Sequence, residues 1–202
     1  MRAEPVGAKP RFVGLLLAAG YGRRFGADKL LHPLADGTPV AVAAARVLRA
    51  ACPEAITVLR PDQAALAERL AAEGLRVVSS PESTLGMGHS LAAGVRASAD
   101  AAGWLVALAD MPFIAPASAR QIADALRDAA RAGHAEAIVA PAFGGTRGHP
   151  VGFMAGWREA LSALEGDSGA GRILKAHPEH LRLIAVDDRG ILRDIDTPGD
   201  LG

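Results

Sequence analysis

The chain has 202 residues, and its 22 basic side chains (Lys and Arg) equal its 22 acidic side chains (Asp and Glu) in number. This length fits one domain of ordinary size, and the charge balance excludes a general attraction to nucleic acid or to an anionic membrane surface. Half of the residues are apolar but only 4% are aromatic, so small aliphatic side chains must fill the interior, which favours close packing of helices on a sheet.

The first residues indicate a protein without a membrane segment. Residues 1–11 are polar and are predicted to be a flexible N-terminal extension, followed by a single domain over residues 12–202. The first apolar run, residues 13–19, is far shorter than the roughly 20 residues of a bilayer span, so neither a signal peptide nor a transmembrane helix is expected. The single cysteine, Cys52, cannot form an internal disulfide and is predicted to be buried, which favours a cytoplasmic location.

Short apolar runs alternate with alanine-rich stretches of helical period, which is typical of β-α units. Strands are predicted at residues 12–18, 55–60, 76–79, 104–109, 137–140 and 183–186, with weaker candidates at 151–154 and 192–195. Helices are predicted at residues 39–51, 62–73, 89–99, 116–132, 155–164 and 171–176. Continuously apolar strands indicate a sheet covered on both faces, so the pattern predicts an α/β fold, a three-layer α/β/α sandwich around a mostly parallel, Rossmann-like sheet. Ligands are then expected beyond the carboxyl ends of the strands.

The first predicted strand leads directly into a loop that combines glycine with positive charge. Positions 20–29 read GYGRRFGADK, which contains the cations Arg23, Arg24 and Lys29. Glycine lets backbone N–H groups approach phosphate oxygens, and the cations supply the charge that a polyphosphate requires. A Rossmann fingerprint would need glycine in place of Phe25, and a Walker A loop would need Lys followed by Ser or Thr directly after its last glycine. The loop therefore predicts phosphate binding outside both motifs, with a plain solvated turn as the alternative.

Aspartates end two later apolar segments. Asp110 follows the strand WLVALA and precedes Met-Pro, which aims its carboxylate at the carboxyl edge of the sheet. In ILRDIDTPGDL, Asp194 and Asp196 alternate along an extended segment and point to opposite faces, so only one can share a site with Asp110. Mg²⁺ prefers one or two carboxylates together with phosphates and water, and we select Asp110 and Asp196 as its ligands. Aspartate before a proline-containing turn also serves as a cap or turn residue, so that interpretation stays open.

These segments together resemble a known family. LLLAAGYGRRFGADKLL is similar to the LAAG-x-G-x-R-x-G-x-x-K signature of the cytidylyl- and guanylyltransferases that mature molybdenum cofactors, with Arg24 and Lys29 at its cationic positions. ALADMP and DIDTPGDL match the two metal-binding segments of that family in the expected order, which implies that Asp110 and Asp196 hold Mg²⁺. The resemblance extends over residues 13–201 and implies a fold of the nucleotidyltransferase (glycosyltransferase A-like) type.

The same resemblance implies further binding residues. GMGHSL matches the family's G-M-x-x-S-L, which contacts base and ribose, whereas RGHP matches the segment that borders the pterin substrate. The family's G-D-x-G-A-R reads GDSGAGR here, which retains Asp167 but displaces Arg172 and leaves the role of that arginine open. The nucleotide-binding residues expected are Leu17, Ala18, Ala19, Gly20, Gly22, Arg23, Arg24, Lys29, Ser80, Gly86, Ser90 and Asp110, of which Arg24, Lys29 and Asp110 are assigned to catalysis. The acceptor-binding residues expected are Arg147, Gly148, His149 and Asp167.

The implied reaction is transfer of a nucleoside monophosphate to the terminal phosphate of molybdopterin, with Mg²⁺ as cofactor and release of pyrophosphate. LAAG rather than LAGG favours CTP over GTP. The residues leave open guanylyl transfer to the same acceptor, a methylerythritol or sugar phosphate as acceptor, and a non-catalytic nucleotide-binding regulator; a dehydrogenase is disfavoured by the failed fingerprint. Beyond its substrates, the resemblance suggests contact with a molybdoenzyme or its maturation chaperone, and no nucleic-acid or membrane partner is expected.

Overall fold

The strands in this computed structural model, which describes residues 10–22, 25 and 28–201, belong to one eight-stranded sheet. They are β1 (Phe12–Leu17), β2 (Ala55–Leu59), β3 (Arg76–Ser79), β4 (Gly103–Leu108), β5 (Ile138–Phe143), β6 (Thr146–Arg147), β7 (Val151–Met154) and β8 (Leu181–Ala185). The α-helices are α1 (Val40–Ala51), α2 (Ala64–Ala72), α3 (Met87–Arg96), α4 (Pro116–Arg131), α5 (Arg158–Ser162) and α6 (Gly171–Ala176). In the part of the chain that the structure describes, no helix has both the length and the apolar character needed to cross a bilayer.

The sheet is mixed, with parallel pairing dominant. Its order is β3-β2-β1-β4-β7-β5, and both β6 and β8 pair with β5. The strands β1 to β4 are parallel where they pair, and so are β5 and β8, whereas β7 runs antiparallel between β4 and β5. In β1, Leu17 pairs with Val58 on one side and with Leu108 on the other. The carboxyl ends of three central strands therefore meet at one edge of the sheet.

Helices cover both faces of the sheet, which confirms the three-layer α/β/α prediction. One face carries a hydrophobic cluster to which α1, α2 and α4 contribute, and the other carries a cluster to which α3, α5 and α6 contribute. Side chains of β1 alternate between them, with Leu16 in the first cluster and Leu15 in the second. Two-sided burial is why β1 reads as a continuous apolar run in the sequence.

Glycine permits the close helix-on-sheet approach expected from an interior poor in aromatic residues. A Cβ added to Gly14 in β1 would lie 3.0 Å from the Leu48 side chain of α1. On the opposite face, a Cβ added to Gly94 in α3 would lie 3.1 Å from Val58 and 3.3 Å from Leu15. Since the interior is packed at crystal-like density, a methyl group at either position has no space without displacement of its neighbours.

Two elements differ from the sequence prediction. The strand predicted at 192–195 is wrong: residues 189–192 form a 3-10 helix, in which the Asp188 carboxylate accepts a hydrogen bond from the Gly190 amide (2.8 Å), and extended chain without a named strand follows. The predicted helix at 155–164 is a 3-10 turn followed by the short α5. The glycine-rich segment at residues 143–152 contains the turn of a hairpin that joins β5 to β6. The tip is exposed at Gly144 and Gly145, and the chain is buried again at Val151.

Candidate functional site

The loop after β1 is held in place by side chains that follow β2. Gln63, which is buried, donates from Nε2 to the Ala18 carbonyl (3.0 Å), and its Oε1 accepts from the Arg60 amide (2.9 Å). The Arg60 guanidinium donates to the carbonyls of Ala19 (2.5 Å) and Gly20 (3.0 Å) and lies 4.2 Å from the centre of the Tyr21 ring. Because the side chains of Gln63 and Arg60 bind these three carbonyl oxygens, the backbone that follows β1 is held in one conformation.

Further along, Gly22 and Phe25 support Lys29. Gly22 has φ +56°, a left-handed conformation that favours glycine, and its carbonyl accepts from the Phe25 amide (2.9 Å). A Cβ at Gly22 would lie 3.2 Å from Cβ of Lys29, so the loop packs directly on the lysine. Arg23 and Arg24, two of the predicted phosphate-binding cations, lie outside the described residues.

Three of the predicted charged residues converge at the carboxyl edge of the sheet. Lys29 Nζ lies 2.9 Å from Oδ2 of Asp110 and 3.6 Å from Oδ1 of Asp196. The two segments are joined by the Ile195 amide, which donates to the Asp110 carbonyl (2.9 Å). The Lys29 side chain is only 9% exposed, whereas the side chains of Asp110 and Asp196 are 26% and 47% exposed. One buried ammonium thus faces two more accessible carboxylates, and this group carries a net negative charge.

Of the two roles in the alternative interpretation, helix cap or turn residue, neither aspartate serves as a helix cap, whereas Asp110 does lie in a turn. Asp110 lies in the turn after β4, and α4 begins six residues later, at Pro116. The turn after Asp196 is held instead by Asp200, whose carboxylate accepts from the amides of Asp196 (3.1 Å) and Thr197 (2.7 Å). The oxygens of Asp110 and Asp196 therefore face Lys29 rather than completing a helix end.

A cavity of about 460 Å³ opens beside this charged group. It is lined by nine of the predicted site residues: Leu17, Ala18, Ala19, Gly20, Lys29, Gly86, Ser90, Asp110 and Asp167. Its rim carries three exposed large apolar side chains, Tyr21, Leu85 and Met87, which are 50%, 62% and 42% exposed. A pocket with an apolar rim and with charges at one end suits a ligand that is itself part aromatic and part anionic.

One predicted serine lies apart from this cavity and another serine takes its place. Ser80 is buried, and its backbone bonds to Leu59 and Ser83, but it is not among the described residues that line the cavity. Ser83 does line it, and the buried Ser83 hydroxyl has no hydrogen-bond partner among the described residues. Ser90 lines it too, and its hydroxyl donates to the Gly86 carbonyl (3.3 Å).

The predicted acceptor residues divide between two adjoining cavities. Arg147 and His149 line a second cavity of about 170 Å³, which shares the walls formed by Leu17, Met87 and Leu108 with the first. Asp167 lies in the first cavity. The Gly148 amide donates to the Pro141 carbonyl (2.9 Å), so this glycine shapes the segment, and Arg172 is exposed on α6.

His149 is a largely buried histidine rather than the surface residue that its sequence surroundings alone would suggest. Its Nδ1 atom is buried and has no hydrogen-bond partner among the described residues. Burial, reinforced by the positive charge of Arg147, lowers the pKa of His149 to about 4. The imidazole is therefore neutral at neutral pH.

The donor atoms at the first site fit a hard divalent ion. Asp110 and Asp196 offer carboxylate oxygens only, and Lys29 balances one of their two charges. Mg²⁺ and Mn²⁺ are bound by such oxygens, commonly by one or two carboxylates with substrate phosphates completing the shell. The residues present therefore suit the predicted cofactor.

Sequence reasoning missed Arg60, Gln63 and Ser83. The first two had a usable signal, because Arg60 ends a predicted strand of the mostly parallel sheet and Gln63 lies three residues later, so both belong at the edge where β1 ends. Ser83 had no such signal, since the Ser-Ser-Pro-Glu-Ser run offers three serines and only the folded turn shows which one faces the cavity.

The chain matches known sequences over most of its length. The family profile described as the MobA-like NTP transferase domain matches residues 14–181. Nicotine blue oxidoreductase of Paenarthrobacter nicotinovorans is 33% identical over 190 residues, 93% of each chain. Purine catabolism protein PucB of Bacillus subtilis is 30% identical over 202 aligned positions, which cover 94% of this chain and 93% of that protein.

Solved structures agree with the fold. Rv0371c of Mycobacterium tuberculosis H37Rv superposes with a TM-score of 0.80 at 31% identity and covers 96% of each chain. A manganese complex of Rv0371C superposes with a TM-score of 0.73 at 29% identity, over 94% of this chain and 95% of that one. A nucleotidyl transferase from Methanothermobacter thermautotroptrophicus gives 0.76 at 26% identity, over 94% of each chain.

Proposed function

The chain belongs to the MobA-like NTP transferase family and is a nucleotidyltransferase, and we propose that it transfers CMP from CTP to the terminal phosphate of a molybdopterin-type acceptor. The observation that carries this proposal is the group formed by Lys29, Asp110 and Asp196, with the lysine ammonium 2.9 Å and 3.6 Å from the two carboxylates. Lys29 and Asp110 line the larger of the two adjoining cavities, the one of about 460 Å³. The predicted relation to molybdenum cofactor nucleotidyltransferases is confirmed at the level of the family.

The larger cavity supports a nucleotide donor. Leu17 to Gly20 form its floor. The carbonyl oxygens of Ala18, Ala19 and Gly20 are bound by Gln63 and Arg60, which leaves the opposite side of the backbone to face a ligand. We assign the phosphates to the end that carries Lys29, with Gly20, Gly22, Arg23 and Arg24 completing the phosphate loop as the family signature implies. The base and ribose then occupy the end formed by Gly86, Ser90 and the apolar rim, and the hydroxyl of Ser83 adds a hydrogen-bonding group there.

The reaction needs alignment and charge neutralisation rather than a strong base. An oxygen of the acceptor phosphate, already anionic, attacks the α-phosphorus of CTP, and the bond from that phosphorus to the β-phosphate oxygen breaks to release pyrophosphate. In our proposal Lys29, with Arg24, neutralises the charge that accumulates on the phosphates, which stabilises the transition state more than the ground state. Electrostatic stabilisation of this kind is commonly the largest contribution to catalysis.

We assign Asp110 and Asp196 to a Mg²⁺ ion, in agreement with their hard oxygen donors. Bound there, the ion would supply further screening of the phosphate oxygens. The manganese complex of a mycobacterial relative supports a divalent-ion site in this fold.

The adjoining smaller cavity supports the acceptor assignment. Arg147 offers a cation for an acceptor phosphate, and the neutral imidazole of His149 forms part of the wall beside it. The shared walls at Leu17, Met87 and Leu108 place these two residues next to the nucleotide cavity, as direct transfer between two ligands requires. Asp167 lies in the larger cavity, where we assign it to the border between donor and acceptor. A buried, free Cys52 agrees with our placement of the reaction in the cytoplasm.

The test is release of pyrophosphate by the purified protein with Mg²⁺, each nucleoside triphosphate in turn, and molybdopterin with and without its metal. We expect release with CTP and acceptor together and little with either alone. Release with GTP only would assign the guanylyl reaction, and release only with methylerythritol phosphate or a sugar phosphate would replace the acceptor. No release in any combination would contradict catalysis and favour a nucleotide-binding regulator.

Because the Paenarthrobacter relative is named as an oxidoreductase, a redox reaction is also tested. The loop after β1 has buried Phe25 where a dinucleotide fingerprint needs glycine, so we expect no oxidation of NADH or NADPH, measured by absorbance. Oxidation of NADH or NADPH that depends on an added substrate would overturn the assignment of the protein as a transferase without redox activity.

A further inference from the structure

A second cluster of ligand-type side chains lies at the amino ends of β5 and β8. These neighbouring strands are parallel, and Ile138 at the start of β5 pairs with Leu181 at the start of β8. Glu136 stands just before β5, and His177, Glu179 and His180 stand just before β8. Because Lys29 and Asp110 follow the carboxyl ends of parallel strands, this cluster lies at the opposite edge of the sheet and has no part in the reaction proposed above.

The ligand atoms of the cluster are close enough to share one ion. Nδ1 of His177 lies 3.4 Å from Oε1 of Glu179, and Nε2 of His180 lies 3.7 Å from the same oxygen. Nε2 of His180 also lies 3.6 Å from Oε2 of Glu136. Donor atoms about 2.0–2.1 Å from a tetrahedral zinc ion are roughly 3.3–3.4 Å apart. The ligand atoms of His177, Glu179 and His180 all lie within 4.8 Å of one another, so small side-chain adjustments suffice to bring these three around one ion. Rotation of the exposed Glu136 side chain beside His180 would add a fourth ligand.

The two imidazoles are oriented by Trp157. The indole centre lies 4.8 Å from the His177 ring and 5.4 Å from the His180 ring. The indole itself is fixed, because Trp157 is 7% exposed and its Nε1 donates to the Glu136 carbonyl (2.7 Å). Trp157 therefore holds the two imidazole rings in place before an ion binds. This lowers the conformational entropy that the ligand side chains lose on binding.

The cluster is also open to solvent ions. It borders a cavity of about 510 Å³, which Glu136, Glu179 and His180 line. The side chains of His177 and His180 are 44% and 32% exposed, and those of the two glutamates are 61% exposed. An ion can therefore reach the donor atoms without rearrangement of the core.

From this arrangement we propose that His177, Glu179, His180 and Glu136 bind a divalent transition-metal ion, for which Zn²⁺ is the probe. Two imidazole nitrogens and two carboxylate oxygens suit zinc and its neighbours in the first transition row, whereas Mg²⁺ is held by oxygen donors. The bound ion would join the chain before β5 to the chain before β8, so its role is structural. The competing explanation is a set of surface ion pairs between the histidines and the glutamates, which would bind no metal.

The test is calorimetric titration of the EDTA-treated full chain with Zn²⁺ alone, and the same titration of Asp110→Asn. We expect one zinc site that persists in Asp110→Asn, because it does not depend on the nucleotide site. His177→Ala and His180→Ala should each weaken this site at least about tenfold. His134→Ala is the matched control, since exposed His134 lines the same cavity but lies outside the cluster, and it should leave the affinity unchanged.

Two further measurements keep the result decisive. Zn²⁺ should raise the melting temperature of the wild-type chain, and Mg²⁺ at the same concentration should not produce this increase in Asp110→Asn. If the histidine variants do not fold, Glu136→Gln, a change at an exposed side chain, takes their place, with the same expected direction. Zinc affinity that is unchanged in folded His177→Ala and His180→Ala, or in Glu136→Gln when those variants do not fold, would overturn the proposal.

Discussion

Lys29 has a side chain that is only 9% exposed, and ammonium groups are rarely so buried unless they are paired. Its partners are the carboxylates of Asp110 and Asp196, which come from segments far apart in the chain. Gly22 packs against its stem. At the scale of single residues, the proposed chemistry therefore depends on one cation, Lys29, whose position is determined by its contacts with Asp110, Asp196 and Gly22.

Lys29→Met should reduce turnover by at least about 100-fold, because it removes a charge that stabilises the transition state and leaves two carboxylates facing each other. Asp110→Asn should produce a loss of similar size. Pyrophosphate release under saturating substrate measures both effects. Lys175→Met is the matched control: this lysine is exposed on α6, and its variant should retain the wild-type rate. Wild-type rates in Lys29→Met would remove the lysine from the mechanism.

His149 should make the free energy of unfolding pH-dependent. Its folded-state pKa is lowered from 6.5 to about 4, so between these values the unfolded chain binds a proton that the folded chain does not. Stability is therefore unaffected by this residue above about pH 6.5 and decreases as the pH falls towards 4, by up to about 3 kcal/mol. Urea unfolding of wild type and His149→Gln at pH 7 and pH 4.5 measures the difference. An equal loss of stability in both proteins would show that another group is responsible.

At the scale of elements, the start of α3 is fixed by the loop before α6. The Gly88 amide donates to the Gly166 carbonyl (2.7 Å), and Gly86 has φ +136°. A Cβ at Gly86 would lie 2.5 Å from the Gly166 backbone and 2.6 Å from Oδ1 of Asp167. Since Gly86, Ser90 and Asp167 all line the nucleotide cavity of about 460 Å³, this contact joins two of its walls.

Gly86→Ala should therefore destabilise the protein more than backbone strain alone explains, and it should raise the KM for the nucleotide. Gly133→Ala is the control, because Gly133 also has positive φ (+77°) but a Cβ there would meet no atom within 4 Å. We expect about 1–2 kcal/mol for Gly133→Ala from strain, and a further 1–3 kcal/mol or so for Gly86→Ala from overpacking. Chemical unfolding measures both, and equal losses would contradict the close contact.

At the scale of the whole molecule, the hydrophobic clusters on the two faces of the sheet separate its two edges. The carboxyl edge carries Lys29 and Asp110, and the amino edge of β5 and β8 carries the histidine cluster. Cys52 belongs to the hydrophobic cluster on the face covered by α1, α2 and α4, and it is 2% exposed. It is the single cysteine of the chain, so its reactivity reports on opening of that cluster and of no other part.

Cys52 should react with a thiol reagent at pH 8 at least about 100-fold more slowly in the native chain than in the unfolded chain. Burial raises the pKa of its thiol from 9.0 to about 11, which by itself lowers the reactive thiolate fraction about 100-fold, and lack of access adds to this. Release of the chromophore from Ellman's reagent, with and without urea, measures the ratio. Rapid reaction of the native protein would show that α1 opens readily from the sheet.

The sequence alone determined the layers and much of the larger site. Alternation of apolar runs with helical periods predicted the sandwich, because a strand buried on both faces has no polar positions. The glycine and lysine of the loop after β1 and the aspartate after β4 could be assigned to one edge, since parallel strands end together. The alternation of Asp194 and Asp196 left one of them to share a site with Asp110, and the family resemblance supported Asp196, whose segment lies beside Asp110 through the Ile195 amide rather than through a strand.

Only the tertiary structure decided which side chains from distant segments meet. Local pattern could not distinguish Ser83 from Ser80, predict that Arg60 and Gln63 hold the carbonyls after β1, or show that His149 is largely buried beside Arg147. It also could not show that Glu136 meets His180, because β8 pairs with β5 across a long stretch of intervening chain that contains β6 and β7. Periodicity in the sequence records which face of an element is buried, whereas side-chain contacts between elements depend on the register and packing that the folded chain adopts.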